Sequence, residues 1–176
     1  MQKKSKLGLF LGRFQPLHFG HLSAINQGLE YCDQIILMIG SANRNFDLKN
    51  PLTIEERMQL INTMIKQEKL EKRIHTLTTI NDNPNNLEWV DTMIKSVSQF
   101  DIVIGNNNLV SVLTQYRGFA QYKPILTKRQ KHQGTIIRHA IMEYRTWKDL
   151  VPNYTHDLLE SFNFEQRLRD LSIKGD

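Results

Sequence analysis

The spacing of apolar residues along the chain predicts strands that alternate with helices. Residues 7–11 and 35–40 are continuous apolar runs, which are typical of strands buried on both faces of a sheet. Between these runs, Leu22, Ile25 and Leu29 recur at the spacing of one helical face. The first part of the chain is therefore predicted to fold as strand, helix, strand.

The rest of the sequence continues this alternation. Further strands are predicted at residues 73–79, 101–105 and 122–126. Further helices are predicted at residues 54–69, 86–99, 108–116, 135–142 and 153–171. The pattern indicates an α/β fold with a mainly parallel sheet of about five strands and helices on both faces. No linker divides the sequence, so residues 1–176 are expected to form a single domain, on which the helical segment from about residue 153 packs.

Composition narrows the class of protein. The formal net charge is +5, without a long block of one sign or a basic stripe interleaved with aromatic residues, so nucleic acid is not an expected partner. The first apolar run is too short for a membrane span or a signal peptide. Cys32 is the single cysteine, which excludes an intramolecular disulfide framework. We therefore expect a cytoplasmic protein without a membrane partner.

The candidate chemistry is concentrated between the first strand and the first helix. In open α/β sheets this position binds phosphate, because the amides of the helix N-terminus face the crevice at the end of the strand. Gly12 is expected to let the backbone turn sharply or approach a ligand, and Arg13 adds a permanent charge that suits phosphate. His18 and His21 lie three residues apart, with Gly20 between them leaving room for an anion.

By spacing alone, two histidines are also compatible with surface or capping roles. A zinc site is a weaker interpretation, because zinc needs three or four ligands and the other histidines have no ligand-like spacing. The residues around the two histidines are needed to decide between these interpretations.

The motif Gly-Arg-Phe-Gln-Pro, at residues 12–16, followed by His-x-Gly-His, at residues 18–21, resembles the signature of the nucleotidylyltransferase superfamily. The resemblance implies a Rossmann-like fold and attack on the α-phosphate of a nucleoside triphosphate. It also implies that this loop binds ATP and its phosphates, through Gly12, Arg13, Phe14, His18, Gly20 and His21. His21 is then the better candidate for stabilising the α-phosphoryl transition state.

A second set of residues resembles the archaeal-type nicotinamide-nucleotide adenylyltransferases within that superfamily. Gly-Ser-Ala follows the second strand at residues 40–42, and Asn-Pro-Leu-Thr precedes the next helix at residues 50–53, with Leu52 in place of the usual aromatic residue. The resemblance makes Ser41 and Lys49 candidates for binding the acceptor nucleotide. Without it, this segment would be read as an ordinary polar loop, with Arg57 on a solvated helix face.

Trp89 follows a polar run at the start of a predicted helix and therefore needs a burial partner, which either a core or a flat ligand could supply. The family carries an Asp seven residues and an Asn three residues before this Trp, and here these are Asp82 and Asn86. The resemblance implies that Trp89 stacks on a nicotinamide ring while its polar neighbours bind the carboxamide and ribose. In the alternative, Trp89 anchors the core and Asp82 and Asn86 are turn and cap residues.

Residues 131–138, Lys-His-Gln-Gly-Thr-Ile-Ile-Arg, resemble the Ser-Gly-Thr-x-Ile-Arg motif that grips the triphosphate in this family. Gly134 and Thr135 would form an anion site at a helix N-terminus, with Thr135 as a capping hydroxyl and Arg138 one turn further. Gln133 replaces the usual Ser, and a capped, solvated helix start is the alternative. By similarity the loop after the fourth strand approaches the nucleotide, which makes Asn106 a further candidate.

The resemblance implies an enzyme that transfers the adenylyl group of ATP to nicotinamide mononucleotide, giving NAD and pyrophosphate. The acceptor phosphate is itself the nucleophile, so catalysis is expected to depend on positioning and on charge, with His18, His21, Arg13 and Arg138 as the catalytic candidates. Few carboxylates lie in the motifs, so Mg²⁺ is expected to arrive on the triphosphate rather than at a protein metal site. Similar enzymes are homo-oligomers. The alternatives are phosphopantetheine adenylyltransferase, a cytidylyltransferase or a non-catalytic nucleotide sensor.

Overall fold

The computed structural model describes residues 5–97, 99–125 and 133–174, and its centre is a five-stranded sheet in which every pair of neighbouring strands is parallel. The strand order is β3-β2-β1-β4-β5. The strands are β1 (Ser5–Gly12), β2 (Cys32–Ile39), β3 (Ile74–Thr79), β4 (Ile102–Ile104) and β5 (Ala120–Tyr122). This arrangement confirms the predicted α/β fold with a parallel sheet.

Helices connect the strands and continue beyond the last one. They are α1 (Phe19–Tyr31), α2 (Ile54–Gln67), α3 (Asn86–Lys95), α4 (Asn108–Tyr116), α5 (Gly134–Met142), α6 (Asn153–Ser161) and α7 (Phe164–Lys174), with a short 3-10 helix at Lys148–Leu150. In the described part of the chain, no helix is long and apolar enough to cross a membrane.

Apolar residues form a core on each face of the sheet because successive strand residues point to opposite faces. Phe10 of β1 packs into the larger core with residues of α1, α2, α5 and the two C-terminal helices. Its neighbour Leu9 packs into the smaller core with residues of α3 and α4. Both faces of the central strands are therefore covered, which explains why these strands read as continuous apolar runs.

Three predicted boundaries were wrong. The fifth strand was predicted at residues 122–126, but β5 ends at Tyr122, shortly before Pro124, which has no N–H to donate to a neighbouring strand. Leu126, the last residue of that prediction, lies outside the described residues. The helix predicted at 153–171 is two helices, and Asn163 between them has a φ of 53°. Helix α3 ends at Lys95 rather than at residue 99.

Candidate active site

The loop between β1 and α1 brings His18 and His21 together. His18 is the N-cap of α1, and its Nδ1 accepts a hydrogen bond of 3.3 Å from the backbone N–H of His21. The two imidazole rings stack with their centroids 3.8 Å apart. His18 therefore caps the helix and stacks on His21 at the same time, since one of its ring nitrogens binds the start of α1 while its ring faces that of His21.

His21 lies against an aromatic wall. The Phe14 ring is 4.5 Å from the His21 ring, and the His21 Nδ1 is buried without a hydrogen-bond partner among the described residues. Burial, and secondarily the neighbouring His18, lower the pKa of His21 well below its usual 6.5. His21 is therefore neutral at physiological pH in the ligand-free protein.

Gly12 and Phe14 differ from the roles expected of them. Gly12 is the last residue of β1 and pairs with Ile39, and the left-handed turn is made by Phe14, with a φ of 53°. A Cβ on Gly12 would lie 3.0 Å from the Phe14 ring. Of the two expectations for Gly12, the sharp turn was wrong, because Gly12 makes room for an aromatic side chain, and the close approach to a ligand stays a prediction. The Phe14 ring is fully buried and packs against the His21 ring, so the ATP contact predicted for Phe14 has no support from the geometry.

One cavity of about 250 Å³ opens above the paired histidines, and we call it the histidine cavity. His18, Gly20 and His21 line it from the start of α1, and Gln133 and Gly134 line it from the start of α5. Two helix N-termini therefore converge on one space, where their amides and positive dipole ends favour an anion.

The N-terminus of α5 differs in detail from the expectation. Gln133 is the N-cap and makes no side-chain capping hydrogen bond, while the hydroxyl of Thr135 accepts a hydrogen bond of 3.3 Å from Arg138. Thr135 is therefore not the capping hydroxyl, because it lies inside the first turn. A Cβ on Gly134 would lie 2.7 Å from the carbonyl oxygen of Gln15, so this close approach requires glycine. The motif residues Lys131 and His132 lie outside the described residues.

Arg138 is buried rather than directed into the histidine cavity. Its guanidinium donates a hydrogen bond of 2.6 Å to the carbonyl oxygen of Gln15, and this contact joins α5 to the first loop. Burial, followed by the proximity of Arg13, lowers the pKa of Arg138 to about 10, so it remains charged at neutral pH. Arg138 therefore contributes a fixed positive charge beside the loop.

A second cavity, of about 310 Å³, lies at the ends of β1, β2 and β4, and we call it the tryptophan cavity. Seven of the candidate binding residues line it, namely Gly12, Arg13, Ser41, Asp82, Asn86, Trp89 and Asn106. It shares Leu11, Gly105 and Asn106 with the histidine cavity. The two cavities are therefore adjacent, separated by the ends of β1 and β4.

The polar wall of the tryptophan cavity is held by side-chain contacts. The Ser41 hydroxyl donates a hydrogen bond of 2.9 Å to Asp82, and the backbone N–H of Asp82 donates one of 2.8 Å to the side-chain oxygen of Asn43. Asn85, and not Asn86, is the N-cap of α3. Since Asn86 has no capping role, the alternative of Asn86 as a cap was wrong. Trp89 is half-buried, with part of its surface packed against the smaller core.

Lys49 is the acceptor-site candidate that the structure places elsewhere. It is exposed, its backbone N–H donates to the Asp47 carboxylate at 2.8 Å, and it does not line the tryptophan cavity. The loop turns at Asp47 and directs Lys49 outward. Its proposed phosphate contact therefore has no support from the geometry of the described residues.

Arg57 is the residue of this site that sequence reasoning missed. It is fully buried on α2, and its guanidinium donates five hydrogen bonds to main-chain oxygens, those of Arg13, Gly40, Ser41, Arg44 and Thr53. Burial lowers the pKa of Arg57 to about 10. A signal existed, because Arg57 shares a helical stripe with the buried Leu60, Ile61 and Met64, and the alternative that placed Arg57 on a solvated helix face was wrong.

Within the described residues, no group of three or more His, Cys, Asp or Glu side chains is placed to hold a metal ion. The part of the histidine cavity that the structure describes has no carboxylate in its lining. A divalent cation there would have to bring its own oxygen ligands.

Comparison with known proteins supports one family. The cytidylyltransferase-like family model matches residues 9–173. A nicotinamide-nucleotide adenylyltransferase of Methanococcus aeolicus is 36% identical over 166 residues, which cover 94% of this chain and 95% of that protein. The protein of the same name from Pyrococcus furiosus is 33% identical over 168 residues, covering 95% of this chain and 89% of that protein.

Solved structures share the fold. A bifunctional NMN adenylyltransferase/ADP ribose pyrophosphatase from Francisella tularensis superposes with a TM-score of 0.81 at 20% sequence identity. The superposition covers 97% of this chain and 53% of that one, so this chain spans about half the length of the bifunctional protein. The same protein in complex with AMP and a manganese ion superposes with a TM-score of 0.75, also at 20% identity, over 95% of this chain and 52% of that one.

Proposed function

This chain belongs to the cytidylyltransferase-like family and, within it, to the nicotinamide-nucleotide adenylyltransferases, and on that premise we propose that it transfers the adenylyl group of ATP to nicotinamide mononucleotide, giving NAD and pyrophosphate. The observation that carries the proposal is the pair of cavities that meet at Leu11, Gly105 and Asn106. Joining two nucleotides requires two neighbouring nucleotide sites whose reacting phosphates meet at a shared boundary.

The histidine cavity is the proposed site of the ATP phosphates. The supporting features are the converging N-termini of α1 and α5, the paired rings of His18 and His21, and the space beside Gly20 and Gly134. Backbone N–H groups at helix N-termini bind phosphate without needing a charged side chain. Arg138, charged and fixed against Gln15, adds positive potential behind the loop.

The tryptophan cavity is the proposed site of the nicotinamide nucleotide. A cationic pyridinium ring is attracted to the face of an indole, and Trp89 offers a half-buried indole at the cavity wall. Arg13 is exposed in the same cavity and has no ion pair with another described residue, so its fork of donors is available to the acceptor phosphate. Asn86 and Asp82 supply polar groups beside Trp89.

The reaction follows from this placement. An oxygen of the acceptor phosphate attacks the α-phosphorus of ATP, a new P–O bond forms, and the bond to the bridging oxygen of the β-phosphate breaks. The electron pair of that bond leaves with pyrophosphate. Because the attacking oxygen is already ionised, the enzyme needs no general base. His21 and His18 line the proposed phosphate site, where they would stabilise the charge that is redistributed in the transition state.

Mg²⁺ is the proposed cation, bound to the triphosphate. When bound, the cation would neutralise part of the negative charge of the triphosphate. The lining of the histidine cavity fits this arrangement, since its described residues supply no carboxylate and leave the coordination to phosphate oxygens and water.

The cytoplasm is the proposed location and a homo-oligomer the proposed assembly. The cytoplasmic location is supported by the single, buried Cys32, which suits a reducing compartment. The assembly is supported by an exposed apolar stripe on α4, formed by Leu109, Val112 and Tyr116. Sedimentation velocity at micromolar protein tests the assembly, and a monomer would contradict it.

The function is tested by pyrophosphate release from Mg-ATP. Parallel reactions contain nicotinamide mononucleotide, nicotinic acid mononucleotide, phosphopantetheine or no acceptor. Pyrophosphate with a pyridine nucleotide, together with the matching dinucleotide product, is the expected result. Turnover with phosphopantetheine alone would identify a sibling transferase, and no turnover with any acceptor would favour a nucleotide sensor.

The role of His21 is tested by His21→Ala. We expect kcat to fall by about 100-fold or more while the dissociation constant of ATP changes by less than about threefold, because the lost contact acts mainly in the transition state. Single-turnover kinetics and equilibrium binding of a non-hydrolysable ATP analogue measure the two quantities. An unchanged kcat with a raised KM would refute the assignment.

A further inference from the structure

Gln15 joins the loop after β1 to the segment before α2 through a closed pair of hydrogen bonds. Its side-chain Nε2 donates to the carbonyl oxygen of Leu52 at 3.0 Å, and the backbone N–H of Leu52 donates to its Oε1 at 2.9 Å. Gln15 lies in the interior and is only 3% exposed. Because both ends of the amide are paired with one residue away from water, the position of Gln15 relative to α2 is well defined.

The main chain of Gln15 contacts the start of α5. Its carbonyl oxygen accepts the hydrogen bond of Arg138, and Gly134 approaches the same oxygen so closely that a Cβ would not fit. Gly134 lines the histidine cavity, as does His18, three residues after Gln15. Gln15 therefore connects α2 with both helix N-termini that surround the proposed phosphate site.

Helix α2 also holds loops that line the tryptophan cavity. Leu52 lies just before the N-cap of this helix. In the first turns of the helix, Arg57 donates to main-chain oxygens of Arg13 and Ser41, and both of these residues line the tryptophan cavity. Helix α2 is thus attached to one cavity through Arg57 and to the other through the pair of Gln15 and Leu52.

We propose that Gln15 is a positioning residue that sets the separation of the two nucleotide sites, through Leu52 on one side and Arg138 on the other. In the described part of the structure Gln15 lines neither cavity, so it acts through its neighbours rather than by touching a substrate. The inference rests on the proposed function, in which two phosphate groups must meet. A displacement of one bound nucleotide by about 1 Å slows such a reaction strongly while each substrate keeps its own contacts.

The dinucleotide product NAD reports the separation of the two sites. Its halves are joined by a short pyrophosphate bridge, so both halves bind together only if the cavities are correctly spaced. AMP and nicotinamide mononucleotide each need only one cavity. Correct spacing makes NAD bind more tightly than either half, because the second half then binds at a high effective concentration.

The test is Gln15→Met, which keeps the length of the side chain and removes the amide. Isothermal titration calorimetry measures the dissociation constants of AMP, nicotinamide mononucleotide and NAD. In the wild type we expect NAD to bind about 100-fold more tightly than either half. In Gln15→Met we expect this advantage and kcat each to fall by about tenfold or more, while the affinities of the two halves change by less than about threefold.

Two further variants control the test. Gln34→Met removes a side-chain amide near the opposite end of β2, where it donates to the carbonyl oxygen of Lys72 at 3.1 Å, and it should leave the three affinities and kcat unchanged. Gln15→Asn keeps an amide that is one methylene too short to pair with both groups of Leu52, and it should lose part of the NAD advantage. If circular dichroism shows that Gln15→Met is unfolded, Gln15→Asn decides the question.

The pattern of affinities separates positioning from support of the fold. Unchanged binding of the two halves with weakened binding of NAD supports the inference, even if no pyrophosphate release is observed. A residue that only stabilises the fold would weaken all three nucleotides together or none of them, and either result in a folded Gln15 variant would overturn the inference. If the wild type bound NAD no more tightly than its halves, the two-cavity arrangement of the proposed function would be wrong, and this inference with it.

Discussion

Individual side chains build this site largely by binding the main chain. Arg57 donates to five main-chain oxygens, and Gln15 exchanges two hydrogen bonds of 2.9 and 3.0 Å with the backbone of Leu52. Arg138 in turn donates to the carbonyl oxygen of Gln15. These contacts tie the loops after β1 and β2 to α2 and α5. The exposed Arg13 can therefore be presented by a loop that is already rigid.

Replacing Arg57 tests this role. We expect Arg57→Met to lower the free energy of unfolding by about 3 kcal/mol or more, because several buried carbonyl groups lose their donor. Arg57→Lys, with one ammonium in place of the guanidinium fork, should recover part of the loss. Urea denaturation measures both variants. Arg145→Met, at a side chain 58% exposed, is the control and should change stability by less than about 1 kcal/mol. A loss as small as the control's would contradict the role of Arg57.

The lowered pKa of His21 predicts a pH dependence of stability. As pH falls below 6.5, the His21 imidazole takes up a proton in the unfolded protein but not in the folded one. Proton binding therefore lowers the free energy of the unfolded state relative to the folded state. Stability should therefore fall with decreasing pH, through this residue by at most about 1.4 kcal/mol per pH unit. Denaturation between pH 7.5 and 5.5 should show a shallower fall for His21→Gln than for the wild type. Identical slopes would show that His21 does not contribute.

At the scale of secondary-structure elements, one carboxylate joins three segments. Glu56 completes a capping box at the start of α2, where it accepts the backbone N–H of Thr53 at 2.9 Å. It also accepts two hydrogen bonds, of 2.6 and 2.7 Å, from Arg167 of α7. Arg167 binds the carbonyl oxygen of Pro51 as well. Helix α7 is thereby attached to the loop that contacts Gln15.

A double-mutant cycle measures this connection. Arg167→Met should cost about 3 kcal/mol, because it leaves the largely buried Glu56 carboxylate without its cation. With Glu56→Gln as the second mutation, we expect a coupling energy of at least about 1.5 kcal/mol. The pair Lys148 and Glu160, with side chains 58% and 56% exposed, provides the control cycle and should couple by less than about 1 kcal/mol. Equal couplings would argue against the connection.

For the whole molecule, strand order determines where the two cavities lie. In the order β3-β2-β1-β4-β5, the chain adds β2 and β3 on one side of β1. It then crosses back and adds β4 and β5 on the other side of β1. The crevice at such a reversal is where open α/β sheets bind ligands. The cavities share Leu11 at the end of β1 and Gly105 and Asn106 after β4, so both lie at this reversal.

The shared wall predicts two kinetic signatures. Trp89→Ala should raise the KM of the nicotinamide nucleotide by about tenfold and leave that of ATP unchanged, because the stacking surface lies in one cavity. Asn106→Ala should raise both KM values, since Asn106 lines both cavities. Initial-rate kinetics with each substrate varied in turn distinguishes the two patterns. If both variants changed the same single KM, the two-cavity assignment would be wrong.

The sequence by itself determined the alternation of strands and helices, the α/β class and the position of the first loop. These features depend on apolar periodicity and on residues close together in the chain, so they can be read locally. The motif at residues 12–21 and the spacing of Asp82, Asn86 and Trp89 likewise identified residues that line the cavities. Helix starts followed from local capping, as at Thr53.

Only the tertiary structure decided the strand order and which candidate side chains face the cavities. It showed that Gly12 accommodates the Phe14 ring, that Thr135 binds Arg138 and that Lys49 points outward. It also revealed Arg57, whose five acceptors lie as far as 44 residues away in sequence. Such roles depend on contacts between segments that are distant in the chain. Local patterns carry no information about which carbonyl groups will lack a partner until those segments have packed together.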